Sequence, residues 1–211
     1  MQRYAIYFTP QGAFGAAGAA WLGWDIARGC PVAQPQVADL DLPALTEKPR
    51  RYGFHATIKP PFALASGRSR EELKDAFTSL CATLAPVRVS ELRPEWMGGF
   101  LALTARGGDP EALTDLAATC VRALDGFRAP LTEAELTKRD HPRLSEPARR
   151  NLRDWGYPHV MEAFRFHLTL TGRVPRSQRV ALEAAATRAI TKHAPHPFDI
   201  TALTLVGEGA D

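Results

Sequence analysis

The chain has 211 residues, of which 45% are apolar and 23% charged, and its net charge is +3. That is ordinary globular composition, and the balance falls short of the dense basic stripe that a duplex-DNA binder carries. No apolar run approaches the roughly 18 residues of a transmembrane helix, which argues against a membrane partner.

In chain order, RYAIYF (3–8) is rich in aromatic and aliphatic residues and stops before Pro10, which predicts a strand rather than a secretory leader. Within 11–28, AAWLGWDIA between glycines predicts a short helix. Residues 29–50 are proline-rich and read as an irregular excursion. Residues 54–59 predict a strand that closes at Pro60 and Pro61, because proline cannot donate to a ladder. Residues 69–85 predict a helix: Ser69 with Glu72 makes a capping box, and Leu73, Ala76, Phe77, Leu80 and Leu84 recur at helical spacing. VRVSEL and GGFLALTA follow as strands.

Asp109 then caps a helix with Pro110 at its first position. Its apolar stripe is Leu113, Leu116, Cys120, Val121 and Leu124. The basic stretch 131–154 predicts one further helix, near 145–155. A strand at 166–171, a helix near 177–193 and a last strand, FDITALTLV, complete the order. This is two similar halves, read as one domain over 1–211. The three cysteines are odd in number and lack a CxxC, so a reducing cytoplasm is expected. The sequence stops abruptly at Gly209, Ala210 and Asp211, which leaves its C-terminal extent open.

One phrase occurs twice. FHATIK (54–59) and FHLTLT (166–171) both run Phe-His-x-Thr, and 112 residues separate His55 from His167. Side chains alternate along a strand. His55, Thr57 and Lys59 therefore share one face, with Phe54, Ala56 and Ile58 on the other. His167, Thr169 and Thr171 share a face opposite Phe166, Leu168 and Leu170. A lone strand histidine is usually structural, but duplication of the whole phrase calls for a shared use. No Cys, Asp or Glu accompanies either histidine face, and neither HExxH nor GxSxG occurs. No metal and no cofactor are expected. Two imidazoles can take and give protons near neutral pH, and two hydroxyls can donate to phosphate oxygens.

These motifs resemble the paired H-x-T signature of the two-histidine phosphoesterase superfamily, which includes the LigT-like RNA cyclic phosphodiesterases. RYGFHATIKPPFALA, WGYPHVMEAFRFHLTLTGRV and the opening RYAIYF with AAWLGWD look like a branch found in phosphonate-utilisation operons. The resemblance covers nearly the whole chain. It implies an α+β, bilobal fold with two sheets about a pseudo-two-fold axis, a central cleft and helices outside. It also implies a phosphoric diester hydrolase that opens a small cyclic phosphate ester without metal. His55 and His167 would be the acid–base pair, and Thr57 and Thr169 the phosphate donors. Two alternatives stand beside it: an RNA 2′,3′-cyclic phosphodiesterase or ligase, and a non-catalytic binder of a phosphorylated metabolite.

Other residues extend the expected site. Lys59 and Tyr7 are candidates to hold the phosphate; a solvated strand end and buried packing are their plainer readings. Arg51 and Arg165 are candidate substrate contacts by strand parity. Trp155 and Tyr157, just before the second motif, could stack on a base or sugar. His141, His159, His193 and His196 show no partner pattern. The expected partner is a small phosphorylated substrate in preference to RNA, and the chain is expected to be a monomer.

Overall fold

A computed structural model of the chain describes residues 3–208; the abrupt end at 209–211 lies outside the described residues. The strands are β1 (Arg3–Phe8), β2 (Trp24–Asp25), β3 (Cys30–Pro31), β4 (Ala56–Ala63), β5 (Val87–Val89), β6 (Glu91–Met97), β7 (Phe100–Arg106), β8 (His167–Thr169), β9 (Phe198–Ile200) and β10 (Thr204–Glu208). The helices are α1 (Gly12–Leu22), α2 (Leu42–Arg50), α3 (Arg70–Cys81), α4 (Pro110–Ala123), α5 (Glu133–Arg139), α6 (Glu146–Trp155) and α7 (Arg179–Ala189). The class is α+β, as expected.

The strand arrangement corrects the expectation of two sheets. One six-stranded antiparallel sheet runs β10-β1-β4-β8-β7-β6, and two small two-stranded sheets, β2-β3 and β5-β9, flank it. The two motif strands are neighbours in the large sheet. They meet at Ala56 opposite Leu168, the one register pair between β4 and β8 among the described residues. The physical reason is a shared core. Ala56, Ile58, Leu168 and Leu170 are buried in a single cluster with Ile6, Leu101 and Leu103 from their sheet neighbours and with Trp21, Leu182 and Ile190 from the α1 and α7 side. A face buried against common helices favours one continuous sheet.

Local chemistry sets the element ends. Ser69 and Glu72 make the expected capping box on α3, though the helix stops at Cys81. Asp109 accepts from the amides of Glu111 and Ala112 and starts α4. The region 29–50 is not irregular throughout. Asp41 accepts from the Ala44 amide, and Leu42, Thr46 and Pro49 recur at helical spacing to bury one side of α2. In 131–154 there are two helices instead of one, because Thr132 and Glu135 form a second capping box at the start of α5. VRVSEL and FDITALTLV each divide into two strands, β5 with β6 and β9 with β10, which belong to different sheets.

Strand β4 does not end at Lys59. It passes through Pro60 and Pro61 to Ala63, and its register with β1 slips twice, between Tyr4 and Ile6 and between Ile6 and Tyr7. Proline is tolerated where a ladder is already broken by such an irregularity. No helix of the described residues is long and apolar enough to cross a membrane. Cys30, Cys81 and Cys120 are all free thiols.

Candidate functional site

With Ala56 opposite Leu168, the antiparallel register sets His55 against Thr169 and Thr57 against His167. The four motif side chains thus form a square on the sheet face away from the core. Directly opposed residues have Cβ atoms about 4.5–5.5 Å apart and diagonal ones about 7–8 Å, so each histidine faces a threonine and the two histidines stand diagonally. All four line one continuous cleft, whose two parts share Thr57, Pro61, Phe100 and Tyr157.

Both rings are held the same way. The Nδ1–H of His55 donates to the Gly53 carbonyl at 2.9 Å, and that of His167 donates to the Arg165 carbonyl at 2.7 Å. Each bond reaches two residues back, which leaves Nε2 as the working atom of both rings. The Thr57 hydroxyl lies 3.1 Å from Nε2 of His55 and donates to it when that ring is neutral. Gly53 is fitted to this task. Its φ is +69°, and a Cβ there would come within 2.7 Å of the Ile26 Cβ.

Burial lowers the His55 pKa to about 4, and His167 pushes the same way, against the hydrogen bonds to Gly53 and Tyr52. The ring is therefore neutral at pH 7. In the unfolded chain it titrates near 6.5, so between pH 4 and 6.5 the unfolded state holds more protons and stability falls as pH falls. We expect His55→Gln to flatten this dependence, by about 1.4 kcal/mol per pH unit within that window. Urea unfolding of both proteins at pH 7, 6 and 5 checks it; parallel curves would count against a buried neutral His55.

Tyr7 sits opposite Thr57 in the β1–β4 register, and its ring stacks on His55 with centroids 3.8 Å apart. Burial, then Glu208, holds its phenol protonated, so it can only donate to an anion. The Thr169 hydroxyl has no hydrogen-bond partner among the described residues and opens to the cleft. Tyr157 lines both parts of the cleft, and Arg165 lines the part that holds His167.

Three expected residues stand elsewhere. Lys59 is 2% exposed and leaves the cleft altogether. Its Nζ donates to the Val121 carbonyl at 3.1 Å and pairs with Asp125 at 3.6 Å. The second register slip, which makes Ile58 the extra residue, turns Lys59 to the face opposite Thr57. Arg51 is exposed and pairs loosely with Glu47 at 3.8 Å. Trp155 packs against a small buried cluster of Ala118, Val121, Val160 and Met161.

The structure adds Lys48, Tyr52, Phe100, His159 and Arg173 to the cleft. Arg173 could have been found from strand parity, since 165, 167, 169, 171 and 173 alternate on one side. His159 carries no partner pattern in the sequence; its pKa is lowered by burial and then by Arg165 and His167. Among the described residues no group of three or more His, Cys, Asp or Glu could hold a metal ion.

Residues 57–211 match the family model described as a protein of unknown function, DUF1045. A protein of Janthinobacterium sp. (strain Marseille) named ribose 1,5-bisphosphate phosphokinase PhnN is 38% identical over 217 residues, covering 99% of this chain and 48% of that protein. One of the same name from Laribacter hongkongensis (strain HLHK9) is 38% identical over 177 residues, covering 82% of this chain and 40% of that protein. The chain therefore spans about half the length of the curated relatives it matches, or less. Their name corrects the hydrolase reading. A phosphokinase moves a phosphoryl group onto an acceptor, whereas a diesterase breaks a diester with water. The cyclic phosphodiesterase, its RNA variant and the ligase are accordingly set aside.

Proposed function

We propose that this chain, which belongs to the DUF1045 family of proteins of unknown function, binds a phosphorylated pentose on the acceptor side of a phosphoryl-transfer reaction. The observation that carries the reading is the square of His55, Thr57, His167 and Thr169 beside Tyr7. It gathers two hydroxyl donors, a phenol donor and two imidazole Nε2 atoms around a space for one phosphate. A phosphate seated there draws a proton onto Nε2 of His55, which then donates to it and frees the Thr57 hydroxyl to donate as well. The relatives' name supplies the ligand class. The sequence contains no Gly-Lys pair and hence no GxxxxGK[ST] nucleotide loop, which favours the acceptor side over the nucleotide side.

The duplicated motif also supports kinship in fold with the two-histidine superfamily, since each half of the sheet supplies one H-x-T strand. That superfamily's hydrolysis is not carried over. Three free thiols suit a reducing compartment, and we place the chain in the cytoplasm.

Calorimetric titration with ribose 5-phosphate, with ribose as the control, tests the reading. Saturable binding of the phosphate ester and none of the free sugar is expected. Absence of saturable binding, or equal binding of the two, overturns it.

A further inference from the structure

Most of the chain's basic side chains outside the cleft are already engaged. Arg3 pairs with Glu135 at 2.9 Å, Arg88 with Asp199 at 2.6 Å, Arg106 with Glu95 at 2.8 Å and Arg128 with Asp125 at 2.7 Å. Lys48 and Arg173 have no acceptor partner among the described residues, and both line the part of the cleft that holds His55, Thr57 and Thr169. No Asp or Glu lines that part. The other end differs: Arg143 and Arg165 stand there with Glu162.

The backbone fixes where these two cations sit. The Gly172 amide donates to the Leu45 carbonyl of α2 at 2.7 Å, which ties the residue before Arg173 to the helix that carries Lys48 one turn later. The Leu101 amide donates to the Thr171 hydroxyl at 2.9 Å, and that hydroxyl donates to the Gly172 carbonyl at 2.9 Å. Arg173 therefore springs from a segment pinned on both sides. From Thr169 to Arg173 the chain reaches about 13 Å at most, and both side chains narrow the gap. Tyr52, Phe100 and Tyr157 wall the space between with ring surface, which suits the apolar faces of a sugar.

We propose that the cleft recognises two anionic groups on one small molecule, the first on the histidine–threonine square and the second on Lys48 and Arg173. This rests on the pentose-phosphate reading above and names its ligand class as a bisphosphorylated sugar. The cationic pair sets specificity: it carries the preference for a second phosphate over a monophosphate seated on the square.

The test is calorimetric titration of ribose 5-phosphate and ribose 1,5-bisphosphate, at one ionic strength, into wild type, Lys48→Ala/Arg173→Ala and Arg70→Ala/Lys74→Ala. The last variant removes two exposed cations of α3 and matches the loss of charge. Wild type should bind the bisphosphate about tenfold more tightly than the monophosphate. The Lys48/Arg173 variant should bind the two sugars alike, and the α3 variant should keep the preference. Equal binding of both sugars by wild type overturns this inference and leaves the pentose-phosphate reading standing. Retention of the preference in the Lys48/Arg173 variant, or its loss in the α3 variant, also overturns it. Failure of wild type to bind either sugar phosphate overturns both readings.

Discussion

Replacing either His55 or His167 by alanine is expected to weaken ribose 5-phosphate binding by about 10- to 100-fold, the effect of losing one hydrogen bond to a charged group. The two losses arise differently. His55 is neutral in the free protein because burial holds its pKa near 4, so an arriving phosphate raises that pKa and draws a proton onto Nε2. Binding should then take up a proton, seen as a heat of binding that changes with the ionisation enthalpy of the buffer, and His55→Ala should abolish that uptake. The alanine also deprives the Thr57 hydroxyl of its acceptor at 3.1 Å. His167 is less enclosed, and its alanine variant should lose affinity while keeping the proton uptake at His55. The double variant should fall short of the product of the singles, because both groups address one phosphate. Near-wild-type affinity in either single variant would remove the square from the binding site.

Trp21→Ala should be among the most damaging single changes to stability, costing about 3–5 kcal/mol. The indole is fully buried in the main core, and its Nε1–H donates to the Leu170 carbonyl at 3.0 Å. It thus packs α1 against the sheet and holds the second motif strand where β8 ends. Trp21→Phe keeps most of the apolar volume but leaves that carbonyl without its donor, and should cost about 1–3 kcal/mol. Urea unfolding of the three proteins gives the order. If Trp21→Ala lost under 1 kcal/mol, the core as described would be wrong.

Much of this molecule is legible in its sequence, and what is not has physical causes. The paired motifs, the capping boxes and the apolar stripes of α3 and α4 are local patterns, and locality makes them readable. The square is half legible: parity puts His55 with Thr57 and His167 with Thr169, but only the β4–β8 register sets them corner to corner. Lys59 defeats parity because a register slip at Ile58, between Thr57 and Lys59, reverses the alternation. No single-sequence pattern marks that slip except the two prolines beyond it. Arg173 follows from parity carried past the predicted strand end. Lys48 does not, since it arrives on α2, whose start is written only in the Asp41 cap within a proline-rich stretch.

The union of β4 and β8 has a mechanical consequence. On one side β1 is laddered along both β10 and β4, and on the other β7 runs the length of β6, yet the two halves meet at a single register pair. One half can tilt against the other while few backbone hydrogen bonds stretch. Each half carries its own histidine and threonine as a rigid unit, so a small swing about Ala56 and Leu168 changes the spacing between the two dyads without disturbing either. The site thus straddles the least-laddered seam of the sheet, so the spacing of the two dyads answers to the side chains packed around that seam more than to backbone pairing.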